Sequence, residues 1–171
     1  MTTYKLRDLL VDVLDSGSDL EINYYASKIK LPHGYTPSGD VMAHVNIIRQ
    51  FTRHWVPALE RQGINYVKAG YLKVKSGTKC PNCGHVQDVL QEKGVDVRVA
   101  TDILSAAYTE DKATIVLFSS DSDLIPALSR AKSQGAKIIY VCFADYMNYA
   151  VSKVANETVS IPTEKAKKYF A

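Results

Sequence analysis

Thr114-Ile-Val-Leu-Phe118-Ser-Ser-Asp121-Ser-Asp123 is an apolar run that breaks abruptly into small polar and acidic residues. A short, unbroken apolar run ending in a turn signal reads as a strand buried on both faces, as a parallel sheet requires. Lys137-Ile-Ile-Tyr-Val-Cys-Phe143 repeats the pattern, and Leu124 to Gln134 between them reads as a helix capped by Gly135. Strand, helix and strand in that order make a right-handed βαβ unit.

Outward from this unit, extended and helical patterns continue to alternate. Leu6, Leu9, Leu10, Val13 and Leu14 recur at helical spacing and are stopped by Ser16-Gly17-Ser18. Glu21 to Ile29 reads as a strand, and Leu31 to Gly39 as a loop rich in proline and glycine. Val41 to Leu59 predicts a long helix closed by Gly63, with Pro57 expected to kink or break it. Ile64 to Lys75 is extended, Ser76 to His85 is turn-rich, and Val86 to Tyr108 reads as helix interrupted at Gly94. Downstream, Asp145 is expected to start a helix, Val159 to Ile161 a short last strand, and Thr163 to Phe170 a basic helical tail. The predicted fold class is α/β: a doubly wound, mostly parallel sheet with helices on both faces. One domain is expected over residues 1–171, with a cysteine-containing loop at 76–87.

Composition narrows the function classes. The 46% hydrophobic and 23% charged residues are ordinary for a globular protein, which excludes disordered and collagen-like chains. A net charge of +3 permits a nucleic-acid partner without demanding one. No apolar run is long enough for a membrane span, and the opening residues lead into an amphipathic helix instead of a signal peptide. Three cysteines, two of them in Cys80-Pro-Asn-Cys83, do not make a secreted disulfide framework, so the expected location is the cytoplasm.

Chemistry concentrates on aspartates. In open parallel sheets ligands bind at the carboxyl ends of strands, which is where Asp121 and Asp123 fall. Two carboxylates on one side of a strand-end turn repel unless a cation or protons offset them, and hard ions such as Mg²⁺ and Mn²⁺ take such oxygen ligands. The plainer reading makes Asp123 a helix N-cap and Asp121 an Asx-turn residue. On a helix from Val95 to Ala107, Val95, Val99, Ile103, Ala106 and Ala107 share an arc, with Asp96 in its middle and Asp102 at its edge. A carboxylate on a buried face needs a partner; the plainer reading bonds Asp96 to backbone amides and leaves Asp102 on the rim.

Cys80, Cys83 and His85 offer three local ligands to zinc, whose structural sites take four; free thiols in a turn are the plainer reading. Lys68, Lys73, Lys75, Lys79 and Lys93 lead towards Asp96 with the right charge for phosphates, Lys93 and Lys75 being the favoured nucleic-acid contacts.

Glu92-Lys93-Gly94-Val95-Asp96-Val97, then Asp102-Ile-Leu-Ser-Ala-Ala107, then Val116-Leu-Phe-Ser-Ser-Asp-Ser-Asp-Leu124 and Pro126 resemble the NYN domain family. That family has the PIN-like nuclease fold and includes the LabA-like bacterial proteins. The resemblance is close over residues 60–142 and looser in the flanks. It implies a metal-dependent ribonuclease, with Asp96, Asp121 and Asp123 matching the acidic positions and Asp102 matching more weakly. NYN chains open with a strand that supplies a first acidic ligand, whereas here a helix begins at Tyr4. The expectation is a form that lacks that strand and aspartate, forms a homodimer or binds a partner strand at an open sheet edge, and holds its metal less well.

The function expected is therefore RNA phosphodiester hydrolysis with Mg²⁺ or Mn²⁺. The alternative is a catalytically impaired RNA-binding or assembly module of the same family. A haloacid-dehalogenase-like phosphatase fits less well, because its D-x-D follows the first strand.

Overall fold

The computed structural model describes residues 4–16, 19–31, 39–84 and 86–170. In chain order they form α1 (Leu6–Leu14), β1 (Ile22–Lys30), α2 (Gly39–Arg61), β2 (Ile64–Lys79), β3 (Val86–Lys93), α3 (Val95–Thr109), β4 (Thr114–Leu117), α4 (Ile125–Ser133), β5 (Lys137–Phe143), α5 (Tyr149–Val154), β6 (Glu157–Ile161) and α6 (Thr163–Lys167). They divide into two compact units, Met1–Ile22 with Asp96–Ala171, and Asn23–Val95. The predicted loop at 32–38, the stop at Gly17-Ser18 and His85 lie outside the described residues.

The first unit is built on a parallel sheet in the order β4-β5-β6. β5 is its middle strand, and Ile138, Tyr140, Val141 and Cys142 are all buried, as a strand covered on both faces must be. Ile103 and Ala107 of α3, Ala127, Leu128 and Ala131 of α4, and Val151 of α5 pack with Ile138, Tyr140 and Cys142 into one core. The apolar runs at 114–118 and 137–143 thus become adjacent parallel strands, paired from Thr114↔Lys137 to Leu117↔Tyr140.

Asp145 starts only a 3-10 turn over Ala144–Tyr146. The helix waits for Asn148, whose side chain accepts hydrogen bonds from the N–H groups of Ala150 and Val151 and so supplies the N-cap. The last strand is longer than expected, because Glu157 and Thr158 also pair with β5.

The second unit carries a three-stranded sheet in the order β1-β2-β3. Here the sequence reading needs correction. Val86 to Lys93 is not helical; it is strand β3, antiparallel to β2 in the register Tyr71↔Lys93 through Ser76↔Asp88. The pairing with β2, remote in sequence, overrides a helix-compatible local pattern. The helix begins only after Gly94, whose φ of +95° makes the corner from strand to helix. Pro57 does not break α2, which continues to Arg61. Ala58 and Leu59, buried immediately after the proline, hold the helix against its core, and that packing outweighs one missing N–H bond.

Two contacts fix the parts that matter for the site. Gly70 on β2 lies so close to the β3–α3 corner that a Cβ there would collide with the Lys93 carbonyl oxygen and stand 2.9 Å from the Val95 amide nitrogen. In the other unit, the buried Tyr140 hydroxyl accepts a hydrogen bond from the Asn148 N–H at 2.9 Å and lies 2.8 Å from Ser120 Oγ. Ser120 Oγ donates its one proton to the Tyr146 carbonyl at 2.8 Å, so Tyr140 is the donor to Ser120. Asn148 Nδ2 also donates to the Ser120 carbonyl at 2.9 Å. The exits of β4 and β5 are tied together by this one-way chain.

Gly70→Ala should lower stability by about 1–3 kcal/mol through overpacking against backbone, read as a lower thermal midpoint; an unchanged midpoint would mean that the corner is loose. Tyr140→Phe leaves the Asn148 N–H and Ser120 without their partner, at a cost of about 1–3 kcal/mol. Denaturant melts check this, and a variant as stable as the wild type would show that the chain does not hold the loop.

Candidate functional site

The residues after β4 form the site. Leu124 is buried and anchors a 3-10 turn at Ser122–Leu124, while Pro126 sits in the first turn of α4, where its missing N–H is no loss. Asp121 caps the 3-10 turn: its Oδ1 accepts the Asp123 N–H at 2.9 Å. The Asp121 N–H in turn donates to Ser119 Oγ at 3.3 Å. Asp121 is half-buried and Asp123 is exposed. The capping role therefore belongs to Asp121, and Asp123 lies inside the turn.

Asp96 occupies the first turn of α3. It is exposed, which corrects its expected place on a buried face. The residues of α3 buried in the core start only at Ile103, so the first turn overhangs the packed part of the helix. Although exposed, Asp96 has a carboxyl group pushed above the usual carboxylate range. Partial loss of water around it contributes most, followed by the charge of Asp121, a hydrogen bond with Asp121 that retains the proton, and the charge of Asp123. Asp96 thus feels the charges of both Asp121 and Asp123.

Asp102 is engaged elsewhere. Arg98 Nε lies 2.9 Å from both of its carboxylate oxygens, a one-turn pair on the same helix, and Asp102 is not among the charges that act on Asp96. Asp145 accepts a hydrogen bond from Thr163 Oγ1 at 2.9 Å. Among the described residues, no three His, Cys, Asp or Glu side chains close around a common metal position.

The remaining candidates lie in the second unit. Lys75 and Lys93 are exposed on the β2–β3 hairpin. Cys80 and Cys83 sit at its tip, where the Gly84 N–H donates to the Cys80 carbonyl at 2.9 Å and Gly84 has a φ of +72°. Backbone N–H groups of Cys83 and Asn82, then the Cys83 thiol, hydrogen-bond to the Cys80 sulfur and hold its thiol below the usual range. Two thiols are half of a tetrahedral zinc set, and His85 lies outside the described residues.

Ser120, Tyr140 and Asn148 were not anticipated as site residues. Asn148 carried a readable signal, an N-cap type ahead of an apolar run. Tyr140 looked like one more apolar strand residue, because nothing local reveals where its hydroxyl points.

The NYN domain family model matches residues 6–162. A crystallised protein of unknown function from Vibrio parahaemolyticus shares the fold with a TM-score of 0.53 at 13% identity, over 99% of this chain and 82% of that one. No curated protein matches the sequence. The match over residues 6–162, together with the parallel α/β sheet and its aspartate-bearing strand exit, shows that the chain belongs to the NYN domain family, a nuclease-type superfamily with the PIN-like fold.

Proposed function

We propose that the protein is a metal-dependent ribonuclease that uses Asp96, Asp121 and Asp123 to hold Mg²⁺ or Mn²⁺. The observation that carries the reading is that the charges of Asp121 and Asp123, at the exit of β4, both act on Asp96 at the start of α3. Neighbouring carboxylates repel one another, a divalent cation relieves that repulsion, and their hard oxygens suit these ions. A bound ion would supply a hydroxide nucleophile and offset charge on the scissile phosphate.

The three carboxylates do not close around one position in this structure, so an ion would have to draw them together from the frame that the chain's own residues set. Asp121 Oδ1 is committed to the Asp123 N–H, which leaves Oδ2 and the remaining lone pairs for the ion. The Tyr140–Ser120 chain keeps the loop from swinging away as charge changes. Asp102, neutralised by Arg98, is assigned no metal.

Zinc at the Cys80–Cys83 tip remains a separate proposal that needs two more donors. So does pairing with a second copy or another strand at β4, which has β5 as its one neighbour among the described residues.

Asp121→Asn should reduce Mn²⁺ affinity by more than about tenfold, since affinity for hard ions follows the carboxylate count. It should also bring chelator-sensitive cleavage of labelled RNA to background. Calorimetry and a gel assay read the two effects, and equal Mn²⁺ binding by both proteins would remove the metal site. Wild-type binding of RNA and metal without cleavage would favour the impaired-module reading.

The raised Asp96 carboxyl sets a pH dependence whose sign is determined. The folded metal-free protein holds the proton more tightly than the unfolded chain, so this contribution to stability is full below the ordinary carboxylate value. It is lost as pH rises through the raised folded value. In chelator, melting temperature should fall over that window for the wild type and less steeply for Asp96→Asn; parallel profiles would show that Asp96 does not feel its neighbours.

A further inference from the structure

The second unit holds a group of charges opposite in sign to the aspartates. A cavity of about 410 Å³ is lined by Arg49 and Arg53 of α2, Ser27 and Lys28 of β1, and Tyr66 and Lys68 of β2. Four of these residues are cations, and no acidic side chain lines the cavity. The ion pairs among the described residues use Arg98, Lys137, Lys165 and Lys167, and none of these four. Arg49 and Arg53 stand one helical turn apart, where like charges repel. Ser27 adds a hydroxyl buried without a hydrogen-bond partner. A concave surface that gathers uncompensated cations concentrates the field and favours an anionic ligand.

We propose that this cavity binds the phosphate–ribose backbone of single-stranded RNA. The choice of RNA as the polyanion rests on the ribonuclease reading of the aspartates. Arg49 and Arg53 supply planar forks that match phosphate oxygens, Lys28 and Lys68 add point charges beside them, and the Tyr66 ring offers an apolar wall to a sugar or base. The volume suits a single nucleotide unit. A duplex presents its phosphates on convex ridges and would meet the cavity only at its rim, which favours one extended strand.

The test is fluorescence anisotropy of a labelled oligouridylate, with excess EDTA to stop cleavage, over a range of salt. Wild type, Arg49→Ala/Arg53→Ala, Arg49→Lys/Arg53→Lys and Asp121→Asn would be compared, with melting curves to confirm folding. The alanine pair should weaken binding by about tenfold, and its salt slope should be shallower by about 1.4 for two lost single-strand phosphate contacts. The lysine pair should recover most of the slope, and Asp121→Asn should bind like the wild type while failing to cleave when Mn²⁺ replaces the EDTA. An alanine pair with the affinity and slope of the wild type would overturn the cavity assignment alone. A wild type that binds no oligouridylate would overturn both this assignment and the ribonuclease reading.

Discussion

A buried tyrosine hydroxyl that projects from the middle of a parallel strand must find partners, since leaving it unpaired costs about 1–3 kcal/mol. Tyr140 meets that demand by bridging the Asn148 N–H and Ser120 Oγ, and Ser120 passes its own proton to the Tyr146 carbonyl. The loops leaving β4 and β5 are consequently fixed to each other at the carboxyl end of the sheet. With Ser120 held and Leu124 buried, the intervening Asp121 has little freedom, and its cap on the Asp123 N–H completes the turn. Asp121 and Asp123 are therefore carried on a turn tied down on one side by Ser120 and on the other by the buried Leu124.

Within this frame the sequence departs from what stability alone would select. Asp96, Asp121 and Asp123 crowd negative charge at a strand exit, and Arg49, Arg53, Lys28 and Lys68 crowd positive charge around a cavity in the other unit. Neither group is neutralised by an ion pair among the described residues, although Asp102, on the same helix as Asp96, has Arg98. Local conflicts of this kind concentrate at functional sites. A divalent cation for the first group and a phosphate backbone for the second are the ligands that their chemistry favours, and one nuclease reading accommodates both.

Some of this was legible in the sequence and some was not. The apolar runs at 114–118 and 137–143 identified the parallel pair, because a strand covered on both faces needs no partner information to be recognised. Val86 to Lys93 was misread because its strand character comes from pairing with β2. Periodicity put Asp96 on a buried arc of α3, whereas it is exposed, because spacing says nothing about where along the helix packing begins. The grouping of Arg49 and Arg53 with Lys28 and Lys68 is not visible in any local pattern, because it exists only where β1 and β2 line the same cavity as α2. The motif that pairs Asp96 with Asp121 and Asp123 spans two elements, and only the family resemblance, borne out by the match over residues 6–162, could join them.

The proposed ribonuclease depends on Asp96, Asp121 and Asp123 binding a divalent cation together. Site-resolved carbon NMR titration of the Asp96 carboxyl, with and without Mg²⁺, tests it most directly. The expected result is a carboxyl that titrates above the ordinary aspartate value in metal-free protein and is driven down when Mg²⁺ is added, because the cation favours the ionised form. An Asp96 that titrates at the ordinary value, or one whose elevated titration ignores Mg²⁺, would contradict it.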